Sequence, residues 1–233
     1  MGVYILSEYP PASCDIHPRI GKLDGFFYNT YNKYAIMNDP DKKTNNIDVM
    51  LYWLKKLGYC DESACACVGC AMYESQMNPA AWEFQQPYEQ TNTGGYGLFQ
   101  WTPWTIMYYW WDEQCKMDCN GAWQMRRFGW EYEYGQEHPL DSEWQPVAEG
   151  YGWTWDDFKR GYTDEIPNPT LEMLVEVFQR DYLRGDYAST INYKKQYAQE
   201  VWDGWKTTHI YHPKNPLAWL YYKASKLNRR DFA

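Results

Sequence analysis

Apolar residues recur at every third or fourth position from Asn46 onward, at Ile47, Met50, Leu51, Leu54 and Leu57, which is the stripe of an amphipathic helix. Asp48 falls in its first turn, Lys55 and Lys56 in its last, and Gly58 follows, the charge order and stop that a helix favours. A second helix is predicted from a cap at Asp61 to about Gln76. Asn78-Pro79 ends it, because the residue before proline is driven out of the helical region. Glu74 therefore lies in that helix's last turn. From Pro87 to Gln100 the pattern becomes Gly- and Thr-rich, and Thr93-Gly94-Gly95-Tyr96 has the positive-φ tolerance of a tight turn, so a small hairpin is expected. Thr102-Pro103 opens a third helix by a cap-plus-proline pairing. Asn120 opens a fourth, and Asn168-Pro169 a fifth with Leu171, Leu174, Val175 and Phe178 on one face. A further helix should cover about 189 to 206.

The expected fold is mainly α, a helical domain with one small β-hairpin. Residues 1–44 carry prolines at 10, 11, 18 and 40 without a sustained helical period, and read as an N-terminal arm or docking segment. The domain proper spans 45–206. Within it, 135–152 forms a polar, Gly/Pro-punctuated connection. Residues 207–233 are an extension with a short helix from Pro216.

Composition narrows the function. Hydrophobic residues make up 45% of the 233-residue chain, yet that share is largely aromatic, with 14 Trp, 23 Tyr and 8 Phe, and no stretch has the length of a membrane span. The first residues, Met1 to Ser7, lack the basic stretch, apolar block and cleavage site of a secretory signal, so another route of delivery is expected. A net charge of -9 argues against nucleic acid as the main partner, and Arg126-Arg127 and Arg229-Arg230 read as solvated charge. The seven cysteines are an odd number, so at least one is outside any intramolecular disulfide. Cys60, Cys65, Cys67 and Cys70 invite a zinc reading, but on a helix Cys65 and Cys67 project roughly 200° apart, so buried thiols and no metal are expected.

The chemistry sits in two linked strings. Gly69-Cys70-Ala71-Met72-Tyr73-Glu74-Ser75-Gln76-Met77-Asn78-Pro79 ends a helix in a carboxylate, and Gly94-Gly95-Tyr96-Gly97-Leu98-Phe99-Gln100-Trp101-Thr102-Pro103 follows as a glycine-rich turn. Glycines at 94, 95 and 97 leave room for a bulky polymer to approach the backbone, and Gln100 can orient a carboxyl or an acetamido group. Helix-Glu-Ser followed by Tyr-Gly-Leu-x-Gln resembles the lysozyme superfamily, including goose-type lysozymes and lytic transglycosylases. The fuller strings are similar to the phage tail lysozyme family. Phe178 to Tyr182 and Ala198 to Trp202 resemble that family's closing helices, so the resemblance runs from about 45 to 206.

The resemblance implies a lysozyme-like α+β fold and a catalytic acid at Glu74. A glycosidic oxygen is a poor leaving group, and a carboxyl kept protonated by an apolar wall, here Met72, Phe99 and Trp101, can supply the proton. Substrate-binding residues are expected at Tyr96, Gly97, Gln100 and Trp101, the two aromatics offering planes to sugar C–H faces. Trp82, Tyr88 and Trp104 are aromatic neighbours of the motif. Where animal-type lysozymes place an aspartate before the Tyr-Gly, this chain has Gly95, so the second carboxylate is open. Glu83 and Glu89 are the candidates, each more readily explained as surface charge. A water held by Thr93 or Gln100, or the substrate's own acetamido group, can take its place.

The resulting expectation is a cofactor-free muramidase of a phage virion or tail, acting on bacterial peptidoglycan of the host wall beside other tail proteins, to open a local path for genome delivery. The alternatives are a lytic transglycosylase and a catalytically inactive tail or wall-binding protein with the same fold. A zinc-dependent module is a third alternative.

Overall fold

The computed structural model describes residues 20–23, 25–29, 32–83, 94–102, 121–134 and 150–207. Strands β1 (Ile20–Leu23) and β2 (Phe26–Asn29) form an antiparallel hairpin in the register Ile20↔Asn29 to Leu23↔Phe26. A 3-10 turn at Lys33–Ala35 leads into α1 (Pro40–Lys56) and α2 (Asp61–Ser75). Then come α3 (Gly121–Tyr134), α4 (Trp155–Arg160), α5 (Leu171–Phe178), a π-helical turn (Gln179–Leu183) and α6 (Tyr187–Thr207). The described part of the molecule is thus mainly helical and lysozyme-like. The expected helix from Thr102-Pro103, most of the 135–152 connection and the helix from Pro216 lie outside the described residues.

The core is organised around α2. Every residue from Ser63 to Met72 is buried, so this helix has no polar face. Its small side chains let neighbours approach closely. A Cβ placed on Gly69 would fall 2.4 Å from the Ala198 nitrogen of α6, so glycine is needed here for helix contact. A second part of the core is aromatic. Phe128 of α3 lies 5.0 Å from Phe99 and 5.1 Å from Tyr182, and Phe178 lies 4.9 Å from Tyr182, in geometries that favour ring contact. Much of the described aromatic content is therefore structural.

Residues 20–44 depart from the arm reading. Phe26 and Ile36 are buried in the core, and α1 begins at Pro40, six residues before the apolar stripe, because Asp39 accepts the Lys42 N–H as cap and proline occupies the first turn. Two buried asparagines fix the hairpin. Asn46 accepts from Phe27 N at 2.8 Å and donates to Phe27 O at 2.7 Å; Asn78 accepts from Asn29 N at 3.1 Å and donates to Asn29 O at 2.7 Å. The two side-chain amides thus pair with the free edge of β2 as another strand would.

The α5–α6 contact carries a pH-dependent element. Burial alone would push the Glu176 carboxyl up, but hydrogen bonds from Lys195 and Tyr151 and the Lys195 charge outweigh it and hold it below its ordinary value of 4.5. A lowered carboxyl contributes stability fully above the unfolded value and loses it as pH falls through the folded one. Thermal melts of Glu176→Gln should therefore lie below wild type at neutral pH, and the gap should close in acid below 4.5. A gap that is constant with pH contradicts this.

Candidate active site

Glu74 is positioned by the end of α2. Gln76 (φ 56°) and Met77 (φ 57°) are consecutive non-glycine residues in the left-handed region, a conformation that costs roughly 1–2 kcal/mol each. Burial of Met77 and a 2.8 Å hydrogen bond from Asn46 Nδ2 to its carbonyl hold the turn. Such strain concentrates at functional sites. Asn78 then accepts the Ala80 N–H at 3.1 Å while clamping β2, which gives a physical reason for the Asn of the Glu-Ser-x-x-Asn-Pro string.

The glycine-rich turn docks on this end. Tyr96 bridges both Trp82 and Trp101 in short antiparallel contacts. Gln124 of α3 joins the two motifs: its Oε1 accepts from Leu98 N at 2.7 Å and its Nε2 donates to Pro79 O at 2.7 Å. Gly97 (φ 82°) has no room for a side chain, since a Cβ would lie 2.5 Å from Gln124 Oε1. The expected hairpin is described only at Gly94–Trp101; its first part, with Thr93, Tyr88 and Glu89, lies outside the described residues, as does Trp104.

Between the two motifs lies a cleft of about 410 Å³ whose walls include Lys33, Tyr73, Glu74, Glu83, Phe99 and Gln100. Glu74, Gln100 and Glu83, expected in the site, thus share one cavity. Gln100 Nε2 donates to Gly97 O at 2.8 Å and Ala81 O at 3.1 Å, while its Oε1 is buried with no partner among the described residues. Glu83 Oε2 accepts the Gly95 N–H at 2.7 Å, so this carboxylate orients the turn as well as facing the cleft.

Tyr96 and Trp101 are placed differently from expectation. They are 1% and 3% exposed and present no face to a ligand. The reason is visible for Trp101: its indole N–H donates at 3.1 Å to Glu131, which also accepts from Tyr182 at 2.7 Å and pairs with Arg127. A buried indole needs such an acceptor, and this network supplies it. Gly97 is buried too and acts through its backbone.

The immediate neighbour of Glu74 is likewise not the expected apolar wall. Phe99 does line the cleft, but Met72 and Trp101 are enclosed behind it, and Glu74 Oε1 is hydrogen-bonded by the ammonium of Lys194. Lys194 is 1% exposed and also bonds Gln179 Oε1, while the Glu74 side chain is 21% exposed. The Gly69–Ala198 contact places this lysine. Glu74 lies five residues beyond Gly69 and Lys194 four before Ala198, about 7.5 and 6 Å along antiparallel helices at 1.5 Å per residue. The sequence reading missed Lys194, and its spacing from Ala198 gains meaning only once α2 and α6 are known to touch. Lys33 was also missed. Burial pushes its ammonium down, against Glu74 and Glu83, which favour the charged form.

Four of the cysteines lie among the described residues. Cys65, Cys67 and Cys70 are buried free thiols, all pushed up by burial, Cys70 to about 12, and Cys60 caps α2 through Sγ. Among the described residues no group of three or more His, Cys, Asp or Glu is placed to hold a metal ion.

A mainly helical fold with a helix-terminal glutamate facing a glycine-rich turn across a cleft defines a lysozyme-like protein. The profile of the phage tail lysozymes matches residues 44–204, and the chain belongs to that family. It is also similar to Morphogenesis protein 1 of Bacillus phage B103, at 31% identity over 109 residues. That match covers 46% of this chain and 28% of the relative, so the chain spans well under two thirds of the relative's length. No described helix is long and apolar enough to cross a membrane.

Proposed function

We propose that the chain is a muramidase of a phage virion, cleaving the glycan strand of the host peptidoglycan with Glu74 as general acid, locally and for genome delivery. The observation that carries this reading is the convergence of Glu74 and Gln100, from two separate motifs, on one cleft. Gln100 lines the cleft beside Glu74, and Glu74 at the end of a helix is placed to reach a glycosidic oxygen bound there. Protonation breaks the bond between the sugar carbon and that oxygen; water or an internal hydroxyl then takes the carbon. In the resting site the Lys194 ammonium hydrogen-bonds Glu74 Oε1 and fixes the position of the carboxyl.

One observation favours a second reading, a lytic transglycosylase. Gly95 stands where an aspartate would be, and among the described residues the one other carboxylate lining the cleft, Glu83, is already bonded to the turn. With no free carboxylate for water among the described residues of the cleft, attack by the sugar's own 6-hydroxyl is the competing route. The test common to both is release of soluble muropeptides from purified, protein-free peptidoglycan. Release by wild type is expected. A chain that frees nothing from walls of several compositions is not a glycan-cleaving enzyme.

A further inference from the structure

The cleft is built from two parts of the chain. Glu74, Glu83 and Gln100 lie within the family match, whereas Lys33 and Tyr34 precede its first residue. They are nonetheless fixed there. The Asn46 and Asn78 clamps hold β2, Asn32 accepts the Tyr34 N–H at 2.9 Å, and Ile36 is buried, so the Lys33–Ala35 turn is anchored at the cleft rim.

Lys33 is the only cation among the described residues that line the cleft. Glu74 is already bonded by Lys194, and Glu83 by the Gly95 N–H. Glu74 and Glu83 are near enough to favour the charged form of Lys33, but it has neither a hydrogen bond nor an ion pair among the described residues, and its half-buried ammonium has three donors to place. Tyr34, 45% exposed, offers a ring beside it. A chain of net charge -9 gains nothing from bulk attraction to an anionic polymer, so any carboxylate entering this cleft needs a local cation.

We infer that Lys33 and Tyr34 form an anion-accepting subsite, in which Lys33 receives a carboxylate of the substrate's acidic peptide substituent. This rests on the muramidase reading and deepens it. Peptidoglycan differs from a neutral chitin-type glycan in the lactyl-linked peptide on alternate sugars, and that peptide carries free carboxylates. The subsite makes the cleft selective for peptide-bearing strands, and it places residues before 44 in the working unit.

The test uses the full chain with Glu74→Gln, so that binding is measured without turnover. Two ligands are compared: soluble, uncross-linked peptidoglycan strands with their peptides, and the neutral N-acetylglucosamine hexamer. Lys33→Met should weaken binding to the strands by about tenfold, the range for a charged hydrogen bond, and the hexamer by much less. Lys33→Arg should keep most of the strand affinity, and added salt should narrow the difference. Equal losses on both ligands, or none on either, overturn the inference; a thermal melt of each variant confirms that it is folded. Digestion by the chain with Glu74 intact is run in parallel. Absence of cleavage there defeats the muramidase reading alone, since the binding comparison stands without it.

Discussion

Glu74→Gln should lower glycan cleavage by about a thousandfold, the range for loss of a positioned general acid. The swap keeps the side chain's size and one acceptor oxygen, but it also removes the counter-charge of Lys194, which is 1% exposed and has no route to water. The variant should therefore be less stable as well as inactive. Breaking a buried pair by removing one partner costs about 3–5 kcal/mol, and the remaining carbonyl keeps the loss at or below the lower end. Lys194→Met removes the other charge and strands Gln179 Oε1, while Glu74 still reaches solvent. In Glu74→Gln/Lys194→Met no charge is left unpaired, so the double variant should be more stable than the two single losses predict, by roughly 1–3 kcal/mol. Denaturant unfolding of the four proteins measures this directly. Additive losses mean that the pair is not coupled. Lys194→Met alone should slow cleavage by roughly a hundredfold, because Glu74 loses the group that fixes its position.

Gly69→Ala is the second large effect, and its sign is diagnostic. In an exposed helix interior alanine is better than glycine by about 1 kcal/mol. Here the new methyl would meet the Ala198 backbone at 2.4–2.5 Å, so α6 must move. Overpacking of this kind costs about 1–3 kcal/mol, and the displaced helix carries Lys194 away from Glu74. The variant should melt below wild type and cleave slowly, with a partial recovery of stability from the helix propensity of alanine. A melting temperature equal to or above wild type contradicts the close α2–α6 approach.

The sequence revealed the elements with strong local signals and missed what depends on contacts across the fold. The stripe from Ile47 to Leu57 and the Asn168-Pro169 start correspond to α1 and α5, with Thr170 as the actual cap of α5. Asp61 was displaced as cap of α2 by Cys60, whose sulfur takes the Ser63 N–H at 3.3 Å. The short α4 was overlooked although Thr154 and Asp157 form a capping box, because six residues show little periodicity. For the site, the two strings pointed to the cleft that Glu74 and Gln100 share. They could not show that Trp101 would turn inward to Glu131, since nothing adjacent in sequence marks Glu131 as its acceptor. Nor could they show that Lys33 and Lys194, far away on either side, return to the same cleft. Charges paired across helices leave no periodic trace.

The measurement that bears most directly on the central claim is mass spectrometry of the sugar ends produced from purified peptidoglycan by wild type and by Glu74→Gln. The account predicts new reducing muramic ends with wild type, reduced about a thousandfold with the folded variant. Anhydro ends with the same dependence on Glu74 would assign the transglycosylase route instead. New ends that persist at wild-type levels without Glu74 would contradict its role as the acid, and no new ends with either protein would leave a wall-binding protein with a lysozyme fold.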